Sequence, residues 1–113
     1  MAISFDDARA AALDLPGVEE APHHEIVSFR VGGRIIATAP DATCLRVMLD
    51  AERVLELCAR EPDLYRPVPW GRRVAAVAVD LSRAELVDVR ELLEEAWRRR
   101  VTPPRPTPPA PGR

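Results

Sequence analysis

Three clusters in this chain combine residue types that could do chemistry. The first is His23-His24-Glu25. Histidine is the common general base and metal ligand near neutral pH. Adjacent histidines, however, point in different directions whatever the backbone, and no third ligand sits at helical spacing. The cluster reads as a loop leading into a strand, with one imidazole packed on the sheet edge. A small-molecule or enzymatic site there would need a deep pocket lined by convergent polar groups.

The second cluster is the cysteine pair, Cys44 and Cys58. They lack C-x₂-C spacing and lie far from the histidines, so they read as two reduced, half-buried thiols acting as small apolar residues. The third is Trp70-Gly71-Arg72-Arg73. An indole beside a glycine and two guanidiniums can stack on a base or clamp a phosphate backbone. The structural alternative is that Trp70 caps the sheet where a Pro-rich segment enters a strand.

Other familiar machinery is missing. Gly32-Gly33 precedes a strand, not a helix N-terminus, so it lacks the amide cluster and dipole of a phosphate loop. The chain has no serine elbow and no Cys/His nucleophile pairing. The expectation is therefore a non-enzyme with no catalytic residues, no metal site and no cofactor.

Charge limits the partners. All 16 basic residues are arginine. Residues 1–100 carry 14 Arg against 18 Asp+Glu, a net of −4. Non-specific nucleic-acid affinity comes largely from phosphate neutralisation, so an acidic body must confine any such contact to a local arginine patch. No apolar run approaches the roughly 18 residues of a membrane span. Residues 1–7 have neither the basic nor the apolar region of a signal peptide, and the expected location is the cytoplasm.

The elements that must position these residues follow from periodicity. At 113 residues one domain is expected. Ser4 and Asp7 form a capping box for a first helix, with Phe5, Ala8, Ala12 and Leu15 on one face; Pro16-Gly17 stops it. Residues 18–24 read as a loop. Residues 26–31 and 34–39 are β-prone runs joined by Gly32-Gly33, a hairpin signal. A strict two-residue loop pairs Arg30 with Ile35 and Phe29 with Ile36.

Residues 43–49 alternate, with Leu45, Val47 and Leu49 on one side and Arg46 and Met48 on the other. Asp50 caps a helix over 51–60, in which Glu56 and Arg60 can pair. The Pro-rich stretch 65–73 cannot be regular helix, although a short strand fits near 66–70. Residues 74–81 form a strand that is central in the sheet or covered on both faces. Ser82 and Glu85 have capping-box spacing for a last helix. In that helix Leu86, Val89, Leu93 and Ala96/Trp97 face inward, and Glu94–Arg98 and Glu95–Arg99 can pair. The expected class is α+β, an antiparallel sheet flanked by helices in the order α-β-β-β-α-β-α. The domain is expected over 1–100, followed by a disordered Pro/Arg tail over 101–113.

Several segments together resemble a known family. Leu15-Pro16-Gly17-Val18-Glu19-Glu20 leads to Ser28-Phe29-Arg30-Val31-Gly32-Gly33-Arg34-Ile35-Ile36-Ala37-Thr38. Then come Pro67-Val68-Pro69-Trp70-Gly71-Arg72-Arg73, Val79-Asp80-Leu81 and Glu91-Leu92-Leu93-Glu94-Glu95-Ala96-Trp97. In that order and spacing they resemble the MmcQ/YjbR family of small bacterial proteins, over about residues 3–100. The resemblance implies an α+β fold likened to secretion-chaperone-like and CyaY-like shapes. It also implies DNA binding through a double wing of β-hairpins. On this chain the wings would be the 26–39 hairpin, with Arg30 and Arg34, and the region of Trp70, Arg72 and Arg73. The alternative is a chaperone-like adaptor that binds a protein partner through an apolar sheet face.

Overall fold

Ser4 begins the first helix as its spacing to Asp7 predicts. In the computed structural model, which describes residues 2–101, the Ser4 hydroxyl accepts from the Asp7 amide at 3.1 Å. The Ser4 amide donates back to Asp7 Oδ2 at 3.0 Å. Two donors that a helix start leaves orphaned are thereby satisfied. Helix α1 (Phe5–Leu13) buries Ala8, Ala11 and Ala12 and packs against α3 (Leu86–Val101). The small alanines let the two helices approach closely. Trp97 of α3 donates its indole N–H to the Pro16 carbonyl at 2.8 Å, tying the helix to the turn after α1.

Six antiparallel strands form one sheet: β1 (Val18–His23), β2 (Ile26–Val31), β3 (Arg34–Asp41), β4 (Cys44–Met48), β5 (Tyr65–Trp70) and β6 (Arg73–Asp80). Their spatial order is β1-β2-β3-β4-β6-β5. Helix α2 (Ala51–Arg60) connects β4 to β5 and packs on β5 and β6, while α3 covers β3 and β4. The Asp50 carboxylate caps α2 by accepting from the Arg53 amide at 2.9 Å.

The helices lie on one sheet face, and the core fills the space between. Phe29, Ile36, Leu45, Val47, Val77, Val89 and Leu93 are fully buried there. Each such side chain contributes on the order of 1.5–3 kcal/mol through burial. No described helix is long and apolar enough to cross a membrane.

The α+β class and the antiparallel sheet agree with the sequence, and the short strand that fits near 66–70 is present as β5; β1 is an additional strand. Strand β1 occupies the segment read as a loop. It is an edge strand, and it carries Pro22, which an edge tolerates. It turns into β2 through His24 and Glu25, whose φ angles are +49° and +71°. A two-residue turn with both φ positive is the hairpin-favouring type, normally announced by Asn-Gly or Gly-Gly; here two ordinary residues adopt it. Strand β5 is the opposite edge and accommodates Pro67 and Pro69 in the same way. Gly71, at φ +63°, opens the turn into β6.

Four local expectations are corrected. A bulge at Phe29/Arg30 keeps Arg30 opposite Ile35 but places Phe29 opposite Ala37, so one extra residue of β3 is absorbed there. Ser82 does not cap α3: its amide and hydroxyl both donate to Asp80 Oδ1, and the helix starts at Leu86. Glu94 pairs with Arg98 as expected. Glu95 and Glu56 instead converge on Arg53, which joins α2 to α3. Val101 closes α3; the remainder of the expected tail, 102–113, lies outside the described residues.

Candidate nucleic-acid interface

Strand alternation sends one set of side chains away from the helices, and register aligns them. One row crosses all six strands: Ala21, Ser28, Thr38, Arg46, Ala78 and Arg66. A second row on the same face joins Met48, Ala76 and Val68. Most of these residues are small, so the uncovered face is concave. Over it lies a groove of about 710 Å³, lined by Ile35, Met48, Val68 and Ala76 and bordered by His23, Arg46, Trp70 and Arg73. No carboxylate lines it. Ligand clefts commonly fall in this size range and share this combination of apolar lining and a few polar groups.

Arg30 lies beside the groove and is held in place. Its Nε donates to the Ser28 hydroxyl at 3.1 Å, and its terminal nitrogen lies 3.2 Å from His23 Nδ1. The buried Ser28 hydroxyl donates in turn to the Ala21 carbonyl at 2.7 Å. Trp70 is 74% exposed at the groove rim. An indole that open to water gains little from burial.

Arg34 and Arg72 sit at two hairpin turns. The start of β3, the end of β4 and the start of β6 share one end of the sheet. Both turns therefore project from that end, with β4 between them. The C-terminal end of α3 arrives at the same place: Arg99 donates to the Met48 carbonyl and Arg100 to the Ile35 carbonyl. Burial, and then the neighbouring Arg99 and Arg34, lower the proton affinity of the Arg100 guanidinium.

The arginines are segregated by partner. Arg9, Arg53, Arg83, Arg90 and Arg98 each pair with a carboxylate, mostly on the helical layer. Among the described residues, no ion pair holds Arg30, Arg46, Arg66 or Arg73 on the open face, or Arg34, Arg72, Arg99 or Arg100 at the hairpin end. Among the described residues Arg60 on α2 has no ion pair either. Glu19 is opposite Arg30 in the ladder, and Asp80 adjoins Arg66 at the far end of the groove face, where Ser82 and then nearby arginines hold its carboxyl below the usual range. A protein with net negative charge thus carries a locally basic face.

Of the five residues singled out in the sequence, Trp70 and Arg73 border the groove and Arg30 adjoins it. Arg34 and Arg72 stand outside, at the hairpin end. Arg46 and Arg66 were missed as site residues. The alternation over 43–49 puts Arg46 on the side opposite Leu45, Val47 and Leu49, and a large cation on the less apolar side of a strand is the available signal. Arg66 gave no signal, because its position depends on β5 joining β6.

His23 and His24 contact each other edge to face with ring centroids 4.5 Å apart, and only His23 borders the groove. Among the described residues no group of three or more His, Cys, Asp or Glu could hold a metal. Both cysteines are free and half-buried. Burial pushes both thiols up, away from the reactive thiolate.

A six-stranded antiparallel sheet with helices on one face and an open concave face on the other defines the class. The YjbR family model matches residues 13–99, and the chain belongs to that family. It is similar to the crystal structure of Deinococcus radiodurans protein DR2400, which carries the DUF419 domain. The two share 27% identity at a TM-score of 0.69, over 81% of this chain and 74% of that one. No curated protein matches.

Proposed function

We propose that this YjbR-family chain is a cytoplasmic DNA-binding module, not an enzyme, and that its interface is the open sheet face together with the two hairpin turns. One observation carries the reading: arginines without carboxylate partners collect on that face and at that end, whereas most of those on the helical layer are neutralised. An uncompensated guanidinium half-buried beside an apolar groove is available to a phosphate, for which its planar fork is well matched. The overall charge of −2 disfavours indiscriminate polyanion binding and confines contact to this surface.

Titration of a labelled DNA oligonucleotide at two salt concentrations tests the proposal. Binding at low salt should weaken by about tenfold or more at moderate salt, as counterion release requires for a few phosphate contacts. The variant carrying Arg30→Ala, Arg34→Ala, Arg72→Ala and Arg73→Ala should lose most of it. Absence of binding at low salt, or undiminished binding by that variant, would refute the proposal. In that case a protein partner on the apolar groove becomes the reading to pursue.

A further inference from the structure

The hairpin turns and their arginines could meet any phosphate backbone, but the groove over the open sheet face has a more selective chemistry. Its floor is apolar, formed by Ile35, Met48, Val68 and Ala76. Trp70 stands at its rim with three-quarters of its surface open. Arg46 and Arg73 border the same space, and no acid faces it. A DNA duplex offers a protein its phosphates and the edges of its base pairs; the flat apolar faces of the bases are hidden by stacking. Such a ligand leaves an apolar floor and an exposed indole without partners. An unpaired strand presents base faces and phosphates side by side, the combination that aromatic platforms in basic grooves take up.

We propose that the groove binds unpaired bases of single-stranded DNA, with the Trp70 indole as stacking platform and Arg46 and Arg73 on the flanking phosphates. Arg30, anchored by Ser28, extends the same cationic border toward β1. The inference rests on the reading of this face as a DNA interface and specifies its substrate. Trp70 contributes little to the core, so Trp70→Ala removes the platform without threatening the fold; an unchanged melting temperature confirms that.

The test uses the full chain and three labelled ligands of equal length: a single strand, the corresponding duplex, and a strand of abasic sites with the same phosphates. Anisotropy titrations at one low salt concentration should rank the single strand at least about tenfold tighter than the other two. Trp70→Ala should weaken single-strand binding by roughly 5- to 100-fold, the effect of losing one stacked base. Its affinity for the duplex and the abasic strand should stay the same. If the duplex or the abasic strand binds as tightly as the native single strand, or if Trp70→Ala binds it undiminished, the inference is overturned while the DNA-binding reading stands. If none of the three ligands binds, the underlying reading fails with it.

Discussion

Replacing Ser28 by alanine should destabilise the protein and loosen the interface at once. The Ser28 hydroxyl is fully buried. It donates to Ala21 of the edge strand and accepts from Arg30, which then reaches His23. Alanine keeps the backbone ladder but removes both bonds. A neutral hydrogen bond contributes about 0.5–1.5 kcal/mol net, and one to a charged group about 1.5–3 kcal/mol. Arg30 is half-buried and can recover water, so the second figure must be cut substantially. The expected loss is about 1–2 kcal/mol. For an ordered region near 100 residues each kcal/mol lowers Tm by roughly 4–8 °C, and the fall should be on the order of 5–15 °C. Thermal melting followed by circular dichroism measures it. Arg30→Met, which leaves the bond from Ser28 to Ala21 intact, should cost less than half as much. A Ser28→Ala melting temperature within about 1 °C of the parent would refute the reasoning, because the buried hydroxyl would then be doing nothing for β1 or Arg30.

Tyr65 is the sole tyrosine, and burial, followed by the nearby Asp88 and Glu61, pushes its phenol up to about 12 from 10. The folded state thus disfavours the phenolate: stability from this group is complete below pH 10 and is lost as pH rises through about 12. Ultraviolet titration should find the folded protein's tyrosine half-ionised near 12, and a midpoint near 10 without unfolding would contradict it. Arg53→Met should cost about 1 kcal/mol in a urea melt, since the side chain grips both oxygens of Glu95 at 3.1 and 2.8 Å and joins α2 to α3.

The parts of the fold that speak through local physics were legible. The Ser4/Asp7 box, the Gly32-Gly33 hairpin, the alternation through β4 and the apolar run of β6 each state a conformation within a few residues. The two edge strands do not. Pro22 argues against a strand at β1, Pro67 and Pro69 leave only a short one at β5, and the neighbouring ladders of β2 and β6 make these prolines acceptable at the edges. The bulge at Phe29/Arg30 and the diversion of Ser82 to Asp80 depend on packing and turn geometry that spacing alone does not encode.

The same division holds for the site. Trp70, Arg72 and Arg73 were visible because they are neighbours in sequence, and Arg30 and Arg34 because they flank a recognisable turn. The row through Thr38, Arg46, Ala78 and Arg66 forms only when β6 inserts between β4 and β5. That pairing spans α2 and leaves no local mark. Arg53 shows the converse: Glu95 has a plausible partner on its own helix, yet it turns to a cation supplied by α2, and Glu56 takes that same cation within α2 instead of Arg60.

The most direct test compares arginines by face. Arg46→Ala and Arg73→Ala remove unpaired cations from the groove border; Arg83→Ala and Arg90→Ala remove cations already paired with Asp80 and Asp14. The salt dependence of single-stranded DNA affinity is measured for each. The two groove variants should bind more weakly, and each should flatten the slope of log K against log salt by about 0.7. The two paired-arginine controls should match the parent. Equal effects in both pairs, or none in either, would contradict the claim that the open face is where this protein meets nucleic acid.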